Sequence, residues 1–320
     1  MYTLDKIPFF QEVEESNNVL LAGMGGGFDI YAALPLYFSL IKQGKKVTIA
    51  NYSFTRLNDT NSESVFPFCY KIRSGDQVYT IPAYFPEKYL KLWFQSQGVL
   101  VDIYAFERIA VQPLKDAYQF LVDKHEIDTL VLVDGGTDCL MFGDEEGLGT
   151  PQEDICSMAA AFQTNVDKKL LVSVGFGVDH FHGVSHYRFL ENLAELDQEK
   201  AYLGSFQVLN TMPEGQKYKE AIDFVDSKMK GMESIVSNSI ISALEGNYGN
   251  YHRTNRTKGS ELWINPLMTI YWCFELEKVM KKNKYYDNIK NTNTVVEFTA
   301  KLSEYRANLD DYREKRQIPI

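Results

Sequence analysis

Cysteine is scarce in this chain and never paired: Cys69, Cys139, Cys156 and Cys273 stand far apart, with no CxxC. That argues against a disulfide framework and against a structural zinc, and fits a reducing compartment. Long apolar runs are lacking too, so no segment is expected to span a bilayer. Positive charge is in deficit, with 33 Lys and Arg against 43 Asp and Glu and a formal net charge of −10. Without a clustered basic stripe, phosphate neutralisation along a nucleic acid has no footing. The opening residues, "MYTLDKIPFFQEVEE", are too acidic and polar for a secretory leader. The expectation is a cytoplasmic protein with a small-molecule ligand, no nucleic-acid partner and no membrane partner. A homo-oligomer is compatible with this reading.

What is present is the make-up of a globular chain, with 45% hydrophobic and 24% charged residues over 320 positions. Short apolar runs closed by glycine or acid alternate with helical patterns. "NNVLLAG", "KKVTIANYSF", "VLVDIYAF", "DTLVLVDGG" and "KKLLVSVGFG" read as five buried parallel strands. "DIYAALPLYFSLIKQG" reads as the first crossover helix, ending at Gly44 with Pro35 as a kink. "FCYKIRSGDQVYTIPAYF" predicts a hairpin around Ser74–Asp76. Beyond Gly177 the pattern turns helical, and "NPLMTIYWCFELEKVMKK" and "VVEFTAKLSEYRANLDDYREKR" read as helices. The expected fold is α/β: a Rossmann-like parallel sheet with helices on both faces and a C-terminal helical extension. Its parts are a core over residues 1–205, a helical extension over 206–283 and a surface helix over 284–320. The commonest order for five such strands sets the first beside the fourth, and ligands bind there at the carboxyl ends.

Three loops meet at that edge. The first, "GMGGGFD", packs four glycines into five residues. Phe28 stands where GxGxxG needs its last glycine, the second strand ends in Asn51 rather than an acid, and no GK[ST] follows. A redox role for NAD(P) is therefore disfavoured. The amides of Gly25, Gly26 and Gly27 remain candidates for an anion or a polar ligand. Asp29 has two open readings: a helix-start acid worth about 0.3–1 kcal/mol, or a contact to sugar hydroxyls or a metal.

The second loop, "VLVDGGTDCLMFGDEEGLGTPQED", carries seven acids. So many carboxylates at one sheet edge repel one another unless a cation or ligand hydroxyls offset them. Asp134, Asp138 and Glu153 are candidate catalytic groups; Gly135, Thr137 and Thr150 are candidate ligand contacts. Thr150-Pro151-Gln152-Glu153 also has the spacing of a capping box. The third loop, "GFGVDHFHGVSH", holds three of the five histidines. His180 is a candidate general acid and His182 a ligand contact. If a divalent metal is bound, Asp134, Asp138, His180 and His182 are its expected ligands. The polar stretch "EGNYGNYHRTNRTKG" suggests a lid, with Arg256 facing an anionic group.

Together "GMGGGFDIYAALPL", "VLVDGGTDCLMFGDEEGLGTPQED", "GFGVDHFHGVSHYRFLENLAEL" and "LWINPLMTIYW" resemble the domain of unknown function 1152 family, over about residues 18–280. That resemblance implies a shared pocket and supplies no reaction. "GLGTPQE" alone is similar to the G-x-G-T-x-x-E motif of the lonely-guy phosphoribohydrolases. In that family the motif holds a nucleotide phosphate, and its glutamate serves cleavage of the N-glycosidic bond. The expected activity is an enzyme acting on a nucleoside, nucleotide or related sugar, most simply a hydrolase or transferase at the glycosidic carbon. The alternatives are a metal-assisted hydrolase and a binding sensor without turnover.

Overall fold

The computed structural model describes residues 2–3 and 5–319, so the outermost limits of the expected parts, Met1 and Ile320, lie outside it. Eleven strands are found among them: β1 Asn18–Gly23, β2 Lys46–Tyr52, β3 Glu63–Phe66, β4 Cys69–Lys71, β5 Ile103–Phe106, β6 Thr129–Asp134, β7 Lys168–Val174, β8 Tyr202–Gln207, β9 Gly249–Asn250, β10 Trp263–Ile264 and β11 Ile270–Glu275. Nine of them form one sheet in the order β3-β4-β5-β2-β1-β6-β7-β11-β8. Its centre, β5-β2-β1-β6-β7, is parallel. Both flanks are antiparallel. The first of the five expected strands does lie beside the fourth, and the fold is the α/β architecture predicted.

The central strands are apolar throughout because both faces are covered. Leu20 and Ala22 of β1 and Leu130 and Leu132 of β6 enter one core, with the helices Val111–His125 and Pro151–Phe162. Val19, Leu21, Val131 and Val133 enter the other, with the helices Leu34–Lys42 and Pro213–Lys228. The period-two alternation of a strand thus splits one hydrophobic run between two cores.

Several elements depart from the sequence pattern for identifiable reasons. The helix expected from Asp29 to Gly44 is two helices, Asp29–Ala32 and Leu34–Lys42, broken at Ala33. Pro35 supplies no N–H to continue the ladder there. The hairpin turns at Pro67–Phe68, between β3 and β4, with Phe68 at φ 62°. Asp76 instead accepts from the Arg73 amide and the Ser62 hydroxyl, which folds Ser74–Asp76 into a side-chain-held turn. Ile270–Glu275, read as part of a helix, is β11. A continuous apolar run does not distinguish the two, but its aromatic and β-branched residues favour the strand. Tyr271 and Cys273 face one core, and Trp272 and Phe274 the other.

The last helix ends at Ala307 rather than continuing through the charged residues after it. The chain then runs back along the 142–146 loop, where Arg313 N–H donates to the Asp144 carbonyl and Glu146 N–H to the Arg313 carbonyl. The Arg313 guanidinium meets Asp144 at 2.8 Å, the buried Glu145 at 2.6 Å and Glu191 at 2.7 Å. Arg313→Ala is expected to cost about 2–3 kcal/mol. A fully buried pair typically costs more, but the guanidinium here is 24% exposed. A denaturant melt within about 0.5 kcal/mol of the parent would show that the tail is not clamped. Among the described residues, no helix is long and apolar enough to cross a membrane.

Candidate functional site

Loops from the carboxyl ends of β1, β6 and β7, neighbours in the sheet, enclose a cavity of about 460 Å³. This is the switch point at which β2 and β6 depart to opposite sides of β1. Five aspartates line the cavity: Asp29 after β1, Asp134 at the end of β6, Asp138 in the turn that follows, Asp154 in the first turn of the Pro151–Phe162 helix, and Asp179 after β7. All five are buried.

Each carboxylate accepts at least one hydrogen bond from the chain. Asp29 Oδ2 accepts from the Gly25 amide at 2.6 Å. Asp134 Oδ2 accepts from the Cys139 amide at 3.4 Å. Asp138 Oδ2 accepts from both the amide and the hydroxyl of Thr150, at 2.7 and 2.8 Å. Asp179 Oδ2 accepts from the Thr137 amide at 2.6 Å. Asp154 is the least satisfied, since its Oδ2 accepts only a long hydrogen bond from the Thr150 hydroxyl, at 3.5 Å. Its residue is 1% exposed, and its Oδ1 has no hydrogen-bond partner among the described residues. An acceptor left in that state costs about 1–3 kcal/mol.

That oxygen faces the cluster. One carboxylate oxygen each from Asp29, Asp134 and Asp154 lies within 4.8 Å of the other two. Gly25 explains how the chain lets them approach. A methyl group on it would sit 2.4 Å from Asp154 Oδ1 and 2.5 Å from Asp29 Oδ2. Glycine is required there for space, not for its backbone angles. The next two glycines do need their angles, at φ 95° and 61°, and carry Phe54 and Tyr84 packed over them.

Without a counter-charge the cluster holds protons. Burial pushes the Asp29 carboxyl up to about 7, against the pull of the Gly25 and Gly135 amides. Burial first, and neighbouring carboxylates second, push Asp134 and Asp154 well above the usual range; Asp179 is raised too, chiefly by burial. Three hard oxygens within 4.8 Å of one another can share an oxygen-coordinated Mg²⁺, Mn²⁺ or Ca²⁺ at about 2.0–2.6 Å.

The cavity gathers most of the expected contact residues. Gly25, Gly26, Gly27, Asp29, Gly135, Thr150, His182 and Arg256 line it, as do Asp134 and Asp138. Three expected members lie elsewhere. Thr137 sits behind the wall and orients Asp179. Glu153 turns away to Arg108, at 2.8 Å. His180 lies in a neighbouring cavity with His186. The histidines are not on an extended segment, as their alternation suggested, but in a short 3₁₀ turn, Val178–His182. That turn puts His180 and His182 toward different cavities, so the ligand set Asp134, Asp138, His180 and His182 is not assembled. The capping box is not formed either. The Thr150 side chain accepts from no first-turn amide; the Glu153 amide bonds the Thr150 carbonyl, and Asp138 takes the Thr150 N–H that the Glu153 carboxylate would accept in a capping box. The Gly25 amide, a candidate anion donor, is taken by Asp29.

Sequence reasoning missed Asp154 as a member of this cluster although it noted the acid. A first-turn acid has a routine explanation in the helix dipole, and its depth is invisible without the fold. Phe54 and Tyr84 were missed because nothing in sequence ties residues 54 and 84 to a loop at 25–27.

Behind the glycine loop, Asn51 Nδ2 donates to the Gly27 carbonyl at 2.9 Å and to Glu87 Oε1 at 2.7 Å. Thr55 donates to Glu87 Oε2 at 3.1 Å. Burial raises the Glu87 carboxyl pKa. Glu87→Gln is expected to change stability by less than about 1 kcal/mol, since the Thr55 hydroxyl can turn to accept. Glu87→Ala is expected to cost about 2–4 kcal/mol by orphaning two buried donors. Equal melting of the two variants would contradict a positioning role for this network.

Residues 68–310 match the family model described as protein of unknown function, DUF1152. The chain belongs to the DUF1152 family. The match takes in four of the five aspartates and begins after the glycine loop, so Asp29 stands outside it. It extends past residue 280 to cover the final helix, which the sequence resemblance left out. No curated protein and no solved structure matches the chain. Membership of the DUF1152 family therefore brings no reaction with it, and the site's geometry has to suggest one.

Proposed function

We propose that this chain is a divalent-cation-dependent enzyme acting on a nucleoside, nucleotide or related sugar, as a hydrolase or transferase at the glycosidic carbon. The unpartnered Asp154 Oδ1, facing Asp29 and Asp134, carries this reading. A buried acceptor of that kind is satisfied by a ligand it lacks, and three convergent carboxylates select a hard cation. Such a cation, when bound, offers open positions to vicinal sugar hydroxyls and offsets charge on the ligand.

The protein's own groups supply the rest. Asp138 is anchored through Oδ2 by Thr150, which leaves Oδ1 free to accept a proton from an attacking water or hydroxyl. The surrounding carboxylates favour the positive charge that develops at a glycosidic carbon. Phe54 and Tyr84 line the cavity and offer aromatic surface against which a sugar or ring face packs. Arg256, on the opposite loop, suits a phosphate or other anionic group. His182 lines the same cavity and takes over the proton-donor role expected of His180.

Nucleosides and nucleoside monophosphates incubated with the protein and Mn²⁺, Mg²⁺ or Ca²⁺ test the reading, with free base and inorganic phosphate followed by mass spectrometry. Cation-dependent release of free base is expected, reduced about 100-fold or more in Asp138→Asn. Release of phosphate instead would favour a metal-assisted phosphoester hydrolase. Saturable binding without turnover would favour a sensor. Full activity in excess chelator would overturn the cation.

A further inference from the structure

The carboxylates make up only part of the cavity wall. Ser234, Ile235 and Val236 line another part, and they open the helix Ile235–Leu244. Among the described residues, no later position of that helix lines the cavity, so the helix meets it end-on. The Ser234 hydroxyl accepts from the Ser237 amide at 3.0 Å. A helix start leaves its first amides without partners, and those of Ile235 and Val236 have none among the described residues. This first turn carries no acid, whereas the Pro151–Phe162 helix has Glu153 and Asp154 in its own. Free amides at the positive end of a helix dipole favour an anion.

Arg256 stands at the same helix start. Its Nη1 donates to the Glu233 carbonyl at 2.5 Å, one residue before the cap. That bond uses one of five N–H donors. Arg256 forms no ion pair among the described residues, unlike Arg253, which pairs with Asp223. Among the described residues that line the cavity it is the one Lys or Arg. The helix start and the carboxylates flank a single residue: a methyl group on Gly135 would sit 2.8 Å from Asp29 Oδ1 and 3.4 Å from Val236 Cγ1.

A helix start is not a site by itself. The independent sign of a ligand is Asp154 Oδ1, a buried acceptor without a partner that is aimed into this cavity. The cavity therefore asks for a cation or hydroxyls at one end of its ligand and an anion at the other. The donors that the sequence offered to a phosphate are largely committed elsewhere: the Gly25 amide to Asp29, and the Thr150 amide and hydroxyl to Asp138. A carboxylate has two oxygens for the two helix amides. A phosphate monoester has three, which reach two amides and the guanidinium together.

We infer that the substrate carries a phosphate monoester, held by the Ile235 and Val236 amides and the Arg256 guanidinium, with its sugar toward the carboxylates. The sugar's placement rests on the proposed function. The phosphate is an anchor and not the group transferred. A sugar phosphate suits a cavity of about 460 Å³.

Ribose 5-phosphate and ribose are the probes, titrated into the full chain with Mn²⁺ present and followed by calorimetry. The phosphate is expected to tighten binding about tenfold or more. Arg256→Ala and Ile235→Pro are each expected to lose most of that gain, with Mn²⁺ affinity in the absence of sugar unchanged. Arg256 is an exposed side chain, so its variant leaves the fold alone. Ile235→Pro removes one amide and keeps the helix. Ser234, at φ −66° and ψ 124°, already has the conformation that precedes a proline, and proline is at home in the first helical position. Ile235→Ala keeps the amide and is expected to keep the gain. The inference is overturned if ribose 5-phosphate binds no more tightly than ribose, if neither binds, or if the gain survives in either Arg256→Ala or Ile235→Pro. Failure of the proposed reaction has a different signature: the gain is present and lost in both variants, yet no nucleotide releases its base with any cation.

Discussion

Asp154→Asn is expected to fold as the parent does and to bind divalent cations at least about a hundredfold more weakly. The two halves of that expectation have separate causes. In the empty site, burial and the neighbouring carboxylates of Asp138, Asp134 and Asp29 already favour the uncharged form of Asp154. A neutral amide of the same shape therefore changes little, and stability is expected within about 1 kcal/mol of the parent. With a cation present the charged form is needed. Losing even an outer partner of a metal site typically costs 10–100-fold in affinity, and Asp154 is placed as a direct ligand. Thermal melting reads the first half and calorimetric titration with Mn²⁺ the second. An unchanged affinity would remove Asp154 from the site. A variant that fails to fold would show that its carboxyl has a structural task.

Gly25→Ala is expected to lose cation binding altogether and to cost about 1–3 kcal/mol of stability, the range for an overpacked interior. The backbone there is one that alanine adopts freely, so strain in φ is not the cause. The cause is the added methyl group, 2.4 Å from Asp154 Oδ1 and 2.5 Å from Asp29 Oδ2. Both oxygens must move, and both are proposed ligands. Gly75→Ala is the matched control. Nothing lies within 4 Å of its methyl position, and no change beyond about 0.5 kcal/mol is expected. If Gly25→Ala binds Mn²⁺ like the parent, the oxygens do not hold the cation from where they stand.

The parallel core was legible because each of its strands is a short apolar run ended by a loop signal, and the order followed from handed crossovers. β11 was not, since "TIYWCFE" is apolar on both faces and its partner β7 lies about a hundred residues earlier. The convergence of Asp29, Asp134 and Asp138 was readable from strand order alone. What could not be read was the fine aim of side chains. His180 and His182 alternate as on a strand, but the turn that holds them follows helical geometry, so their rings part. Glu153 and Asp154 are consecutive on one helix, about 100° apart around its axis. One therefore faces the cavity while the other faces Arg108. The capping-box pattern at Thr150 was sound as local chemistry and was overridden by the fold, which brings Asp138 to the Thr150 amide and Arg108 to Glu153.

The measurement that bears most directly on the cation centre is an anomalous difference map from a crystal of the intact protein soaked in Mn²⁺. One strong peak is expected inside the carboxylate cavity, with oxygens of Asp29, Asp134 and Asp154 about 2.0–2.6 Å away. A peak on His180 or His182 instead, or a carboxylate cavity with no peak while Mn²⁺ is found elsewhere on the protein, would contradict the account.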